Sequence, residues 1–149
     1  DVNLNKEVQS SKGTVFRWRP DFQNDFAARV QWGIKAYDEA NHHPVIKMKK
    51  YESDGVIAIK TKAGRTVKLD ASKSQDPDGY QLRFDWFIYA EAGSYKEASN
   101  SILNSLHQSG IQVDIPKNAK GKSIHLILRL KDTGSPALVS YQRIVFNVI

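Results

Sequence analysis

The sequence predicts a mainly β protein, a seven-stranded antiparallel immunoglobulin-like sandwich preceded by one long α-helix. Three observations predict it. Apolar residues recur at helical spacing up to residue 40, the period changes to two after Pro44, and clusters of Gly, Pro, Asn and Asp then punctuate the chain. The 149 residues suit one domain with an appended segment, and the expected division is 1–42 for an N-terminal linker and helix and 43–149 for the sandwich.

The helix is expected over Asp21–Ala40. Phe22, Phe26, Val30, Ile34 and Tyr37 form one apolar stripe, with Ala28, Trp32 and Ala36 as a narrower second edge. Pro20 suits a first turn, where its missing N–H is not needed, and Asp21 and Asp25 complement the positive end of the helix. Asn41, His42, His43 and Pro44 close it. The stretch before it, Asp1–Gly13, is polar and expected to be loose.

The strands are expected at Val45–Lys49, Val56–Lys60, Thr66–Ala71, Leu82–Tyr89, Ile111–Ile115, Ser123–Lys131 and Leu138–Val148. Each is rich in β-branched or aromatic residues and bounded by turn formers. Seven short strands without an intervening helical period point to a sandwich. In the longest gap, Ile102, Leu103 and Leu106 are placed to make a short helical turn or to pin a loop.

Composition narrows the function classes. With no cysteine, disulfides, Cys-ligated zinc and thiol catalysis are excluded. The net charge of +6 comes from 22 Lys+Arg against 16 Asp+Glu, spread singly along alternating strands as solvated faces, so no nucleic acid is expected as a partner. No apolar run approaches the ~20 residues that span a bilayer, and no membrane partner is expected. His42 and His43 are adjacent and diverge by about 100° on a helix, while His107 lies in a loop and His125 in a strand. No HxxxH, HExxH or GxSxG spacing occurs. No catalytic residue and no cofactor is expected, because the acids Asp85 and Glu91 lack a second member at a defined geometry.

The segment LDASKSQDPDGYQLRFDW holds Asp70, Asp76 and Asp78 with Ser72 and Ser74. Calcium takes six to eight oxygens, so these three aspartates are its candidate ligands. The EF-hand spacing and its bidentate Glu are absent. Asx- and ST-turns, Pro77 and Gly79 account for the same residues as a turn, which is the favoured reading. This segment resembles the strand B to strand C region of PKD-type immunoglobulin-like domains, through Leu69, Asp70, Ala71, Ser72, Ser74, Asp76–Gly79, Phe84 and Trp86. It departs from them at Tyr80, where that pattern commonly has a further Asp.

A wider resemblance runs from about Trp18 to the end, through RWRPDFQNDFAARVQW, ANHHP, YAEAGSY and VDIPKNAKGKSIHLILRLKDTGSPALVSYQRIVF. These stretches resemble the C-terminal domain of bacterial secreted proteins described as cellulose-binding, in which an immunoglobulin-like module follows a nucleoside-hydrolase-like domain. The resemblance implies a piece of a longer polypeptide, in keeping with a start at Asp1 without Met or signal peptide. It also implies secretion or a periplasmic location, with the upstream domain as partner and any hydrolase centre upstream. Trp18, Trp32, Arg17 and Arg19 are then expected at the junction with that domain.

In Gln81–Ala90, Leu82, Phe84, Trp86 and Ile88 share one face, and Arg83, Asp85, Phe87 and Tyr89 the other. The first set is expected to be the core. The second runs into Glu91 and Tyr95, so Phe87, Tyr89, Glu91 and Tyr95 are candidate carbohydrate-binding residues, with rings for pyranose faces and a carboxylate for hydroxyls. The competing reading covers Phe87 and Tyr89 with the helix, whose stripe would contribute on the order of 5–10 kcal/mol on burial before entropic costs. Two functions therefore stand side by side. One is a non-catalytic accessory module supporting polysaccharide binding, and the other a structural domain that orients the upstream domain and has no ligand of its own.

The turn reading of Asp70, Asp76 and Asp78 has a direct check. An ion bound to the native state raises Tm by mass action, so EDTA or millimolar Ca²⁺ is expected to change it by no more than about 1 °C. A calcium-dependent rise of several degrees would make the three aspartates ligands.

Overall fold

The computed structural model describes residues 12–51 and 55–149, and the stretch expected to be loose lies mostly outside them. Six strands form two sheets: β1 (Ile57–Thr61), β2 (Thr66–Asp70), β3 (Arg83–Ile88), β4 (Gly110–Asp114), β5 (Ser123–Lys131) and β6 (Val139–Val148). The larger sheet has the order β1-β6-β5-β3, and β2 pairs with β4 in the smaller. Both contribute to a single apolar core, with Trp86, Leu126 and Phe146 from the larger sheet meeting Leu69, Ile111 and Val113 from the smaller. The strand alternation decides this. Alternate positions of β5 and β6, such as Ile124, Leu126 and Leu128 or Ile144 and Phe146, are fully buried.

Among the described residues the strand count is six rather than seven. Val45–Lys49 runs beside the turn after β2 without forming a ladder. Val45 exchanges both backbone bonds with Gln75, but the Lys47 N–H goes to the Ser74 hydroxyl at 3.0 Å and Lys49 N–H to Asp70 O. A side chain thus takes a donor that a strand would give to a neighbour. The sheet is also not wholly antiparallel, since β1 pairs in parallel with β6, Ile57 opposite Ile144. β1 leads directly into the other sheet at β2, so no hairpin sets its direction.

The helix is shorter than expected. After a turn of helix α1 (Gly13–Phe16), α2 spans Arg19–Trp32 with Pro20 in its first turn, and Tyr37–Glu39 makes a 3₁₀ turn instead of continuing it. Trp32 Nε1 donates to Asn41 O at 2.8 Å. Nine residues of unbroken helix would separate these positions by about 13 Å, so the bond requires the chain to fold back. Asn41 in turn donates to Asp132 Oδ2 (2.9 Å) and Pro136 O (2.8 Å), while Asp132 Oδ1 accepts from the backbones of Gly134 and Leu138. A Cβ on Gly134 would lie 2.3 Å from Asn41 Nδ2, so this contact requires glycine there.

The helix turns its apolar stripe outward. Phe22, Phe26 and Val30 are 48, 69 and 52% exposed, and Ile34 and Tyr37 beyond the helix are exposed as well. Its buried residues are Asp21 and Ala28. The expected burial of the stripe is therefore overturned: α2 reaches the outer face of the larger sheet through Asp21 in its first turn, and it is Trp18, before the helix, that touches Phe87 and Tyr89.

Trp86 is 1% exposed and its Nε1 donates to Gln108 O at 2.8 Å, tying β3 to the long loop before β4. Trp86→Ala is expected to lose about 3–5 kcal/mol in denaturant melts. A loss below about 1 kcal/mol would contradict its place at the centre of the core.

Candidate aromatic and polar site on the outer sheet face

Register brings together residues far apart in the chain. Asp85 of β3 faces Arg129 of β5, which faces Tyr141 of β6, in one row across the outer sheet face. The neighbouring row is Phe87, Ile127 and Arg143. Asp21, in the first turn of α2, descends on the first row. Arg129 donates to both Asp21 oxygens at 2.8 and 2.5 Å, and to Asp85 Oδ2 at 3.2 Å. The Tyr141 hydroxyl donates to Asp21 Oδ2. Burial works against the Arg129 charge, but the bonds and charge of Asp21 outweigh it and push the guanidinium pKa upward. Burial, and then the Asp21 carboxylate, push the Tyr141 hydroxyl upward too.

Trp18, immediately before α2, packs on the aromatic residues of this face. Its ring is tilted on Phe87 at 5.9 Å and lies edge-on to Tyr89 at 6.5 Å and to Tyr141 at 5.3 Å. Arg17 lies over the Tyr89 ring at 5.8 Å and pairs with Glu91 at 2.8 Å. Partial burial of Glu91 works upward, yet Arg17 holds its carboxyl below the usual range. Two hollows flank Trp18. A cavity of about 170 Å³ lies over Asp85, Phe87, His107 and Arg129. A more open groove of about 590 Å³ is lined by Trp18, Ile127, Ser140, Tyr141, Gln142 and Arg143.

The four carbohydrate candidates are separated by this arrangement. Phe87 is buried beneath Trp18, and Tyr89 beside it remains partly accessible. Glu91 is exposed at the rim. Tyr95 belongs to the inter-sheet core, its hydroxyl donating to Asn118 at 2.7 Å. The three loop aspartates take different partners. Asp70 pairs with Lys49 at 2.6 Å, and that bond, with those from Ser72, holds its pKa at about 2. Asp78 accepts from the His42 backbone at 2.7 Å and contacts its ring at 2.9 Å. Asp76 Oδ1 accepts the N–H groups of Asp78 and Tyr80, and Oδ2 is buried without a partner among the described residues. Burial pushes the Asp76 carboxyl upward. Among the described residues no three His, Asp or Glu side chains form a metal-holding group.

Sequence reasoning missed Asp21, Arg129 and Tyr141. Asp21 reads as a helix-dipole residue, and Arg129 as one charge among many. The available signal was an arginine flanked by Leu128 and Leu130 in the middle of a long apolar strand, with an acid in strand β3 to face it. His125, on the same face, is buried and contacts Arg143 Nη2 at 2.6 Å. Burial, then the charges of Arg143 and Lys96, depress its pKa, favouring the neutral ring that accepts from the guanidinium.

The family model for the C-terminal domain of cellulose-binding protein Sde0182 matches residues 66–148, from the start of β2 to the end of β6. The chain belongs to this family. A solved nucleoside hydrolase-related hypothetical protein from Saccharophagus degradans, described as associated with carbohydrate metabolism, is 41% identical with a TM-score of 0.85. The match covers 97% of this chain but 34% of that one, so the chain spans about one third of its relative. Other similar structures include human CDH23 EC21–23, at 10% identity and TM-score 0.45 over 72% of this chain and 35% of that one. Protocadherin gamma B2 domains 3–6 follow at 17% and 0.42, over 71% of this chain and 25% of that one. No curated protein sequence matches the chain.

The Asp21–Arg129 pair separates two accounts of how α2 is held. Asp21→Ala leaves a largely buried guanidinium with Asp85 alone, and is expected to cost about 3 kcal/mol of stability. Phe26→Ser, on the exposed stripe, is expected to cost less than about 0.5 kcal/mol. The reverse order in urea melts would mean that the stripe, not the ion pair, holds the helix.

Proposed function

We propose that this chain is a non-catalytic accessory domain, an immunoglobulin-like sandwich that supports polysaccharide binding of cellulose type in a secreted or periplasmic bacterial protein. Membership of a family named for a cellulose-binding protein is the observation that carries this reading. The groove beside Trp18 is its best physical counterpart. Tyr141, 41% exposed, offers a ring to a pyranose face, and Ser140, Gln142 and Arg143 line the same groove with hydrogen-bonding groups. Tyr89 and Glu91 are the two sequence-nominated residues that solvent reaches, and they extend the polar edge on the other side of Trp18. Phe87 then acts as the floor that holds Trp18 in place rather than as a stacking ring.

The polar groups around Asp21 fit support better than chemistry. Asp21 is occupied by Arg129 and Tyr141, and the acid that shares Arg129, Asp85, also contacts His107 at 2.9 Å. A general base needs an oxygen available to a substrate proton, and these oxygens are already engaged by Arg129, Tyr141 and His107.

Retention of the chain on insoluble cellulose, compared with other insoluble glycans, tests the proposal. The unaltered chain is expected to be retained, Tyr141→Ala to bind about 10-fold more weakly, and Tyr141→Phe to keep most binding because the ring remains. Circular dichroism checks that each variant is folded. A folded chain retained on no glycan would leave the domain a structural role.

A further inference from the structure

We propose that the outward stripe of α2, Phe22, Phe26 and Val30, is the surface on which the nucleoside-hydrolase-related portion of the longer polypeptide docks. The three residues stand at positions i, i+4 and i+8, so they line a single ridge about 12 Å long. They are about half to two-thirds exposed although each is a large apolar side chain. Away from the stripe, the helix is held by directional bonds to the sheet, to the β5–β6 loop and to the segment that follows the helix. Asp21 is engaged by Arg129 and Tyr141, Asn24 Nδ2 donates to Ala137 O at 3.0 Å, and Asp25 contacts His43 at 2.8 Å. The helix cannot roll to bury its stripe without breaking these contacts, so the ridge stays directed away from the β-domain.

The comparisons indicate the occupant. The family model begins at residue 66, yet the match to the Saccharophagus degradans structure covers 97% of this chain and so takes in α2. The helix therefore lies outside the family's β-core but inside the fold shared with a protein about three times as long. The match leaves about two-thirds of that relative, a protein described as nucleoside hydrolase-related, uncovered, and this is the occupant proposed for the ridge. Patch size favours a tethered partner. Three side chains present far less than the ~800 Å² per partner typical of a stable complex between free chains. A covalent link holds the partner at about millimolar effective concentration, where so small a ridge suffices. Arg29, paired with Asp25 at 2.7 Å and 62% exposed, supplies a polar rim beside it.

The test joins this chain to the nucleoside-hydrolase-related portion of the Saccharophagus degradans relative, in place of the third that it matches. Hydrogen exchange over residues 20–32 is expected to slow at least ~10-fold in the joined protein compared with the chain alone. Phe26→Asp with Val30→Asp is expected to abolish that protection and lower the joined protein's Tm by about 5 °C, while changing that of the chain alone by less than about 2 °C. Equal exchange in the joined protein and the chain alone overturns the proposal. So does a chain that sediments as a dimer dissolved by the double substitution, which would make a second copy the occupant. Loss of cellulose retention in the double variant, or exposure of the stripe to dye on removing residues 1–11, would likewise assign the ridge to a glycan or to the N-terminal segment.

Discussion

A charged guanidinium in the middle of a sheet face is the constraint on which the outer layer depends. Arg129 stands between Leu128 and Leu130 at a position that β5 presents outward, and its side chain is 17% exposed. A charge so placed needs partners, because desolvation without them costs several kcal/mol. Asp85 from β3 supplies one and Asp21 from α2 the other, with Tyr141 closing the network. A buried ion pair adds little net stability over an apolar replacement, but it has only one geometry. It therefore orients the helix more than it stabilises it.

That orientation accounts for the other features of the face. With Asp21 held down, Trp18 is carried over Phe87, Tyr89 and Tyr141, and Arg17 reaches Glu91. The hollows on either side of Trp18 exist because one ring bridges a gap between a helix and a sheet that touch mainly through polar groups. At the other end of α2, the Trp32–Asn41–Asp132 chain fixes where the segment leaves the helix and approaches the β5–β6 loop. The two anchors use different chemistry, an ion pair and a buried amide. Between them lies Ala28, small enough to allow close approach.

Large aromatic residues on an outer face admit two roles, contact with a ligand and contact with another layer of protein. The aromatic residues of this face differ in depth. Phe87 belongs to the layer contact, whereas Tyr141 keeps part of its ring in solvent. The exposed ridge of α2 adds a third surface, and its composition differs from the groove. The ridge is aliphatic and phenylalanine-rich without hydrogen-bonding groups of its own, which suits protein rather than sugar.

What the sequence by itself determined is the inside of the β-domain. The period-two pattern of β3 assigns Trp86 and Ile88 to the core, because alternate side chains must take opposite faces and burial selects the apolar set. Turn chemistry at Asp76–Gly79 was legible for the same reason, since Asx-turns and a positive-φ glycine are local. The existence of a helix near residues 21–32 was legible from its period. Its orientation was not, because periodicity identifies an apolar stripe without saying what that stripe touches. The tertiary structure alone decided that Asp21 and Ala28 face inward. It did so through the register of β3, β5 and β6, which aligns Asp85, Arg129 and Tyr141 across some 56 residues of chain. It also decided that Val45–Lys49 forms no strand, because the Ser74 side chain takes a backbone donor there. Long-range pairing and side-chain competition for backbone groups depend on positions in space, and a local pattern holds no record of them.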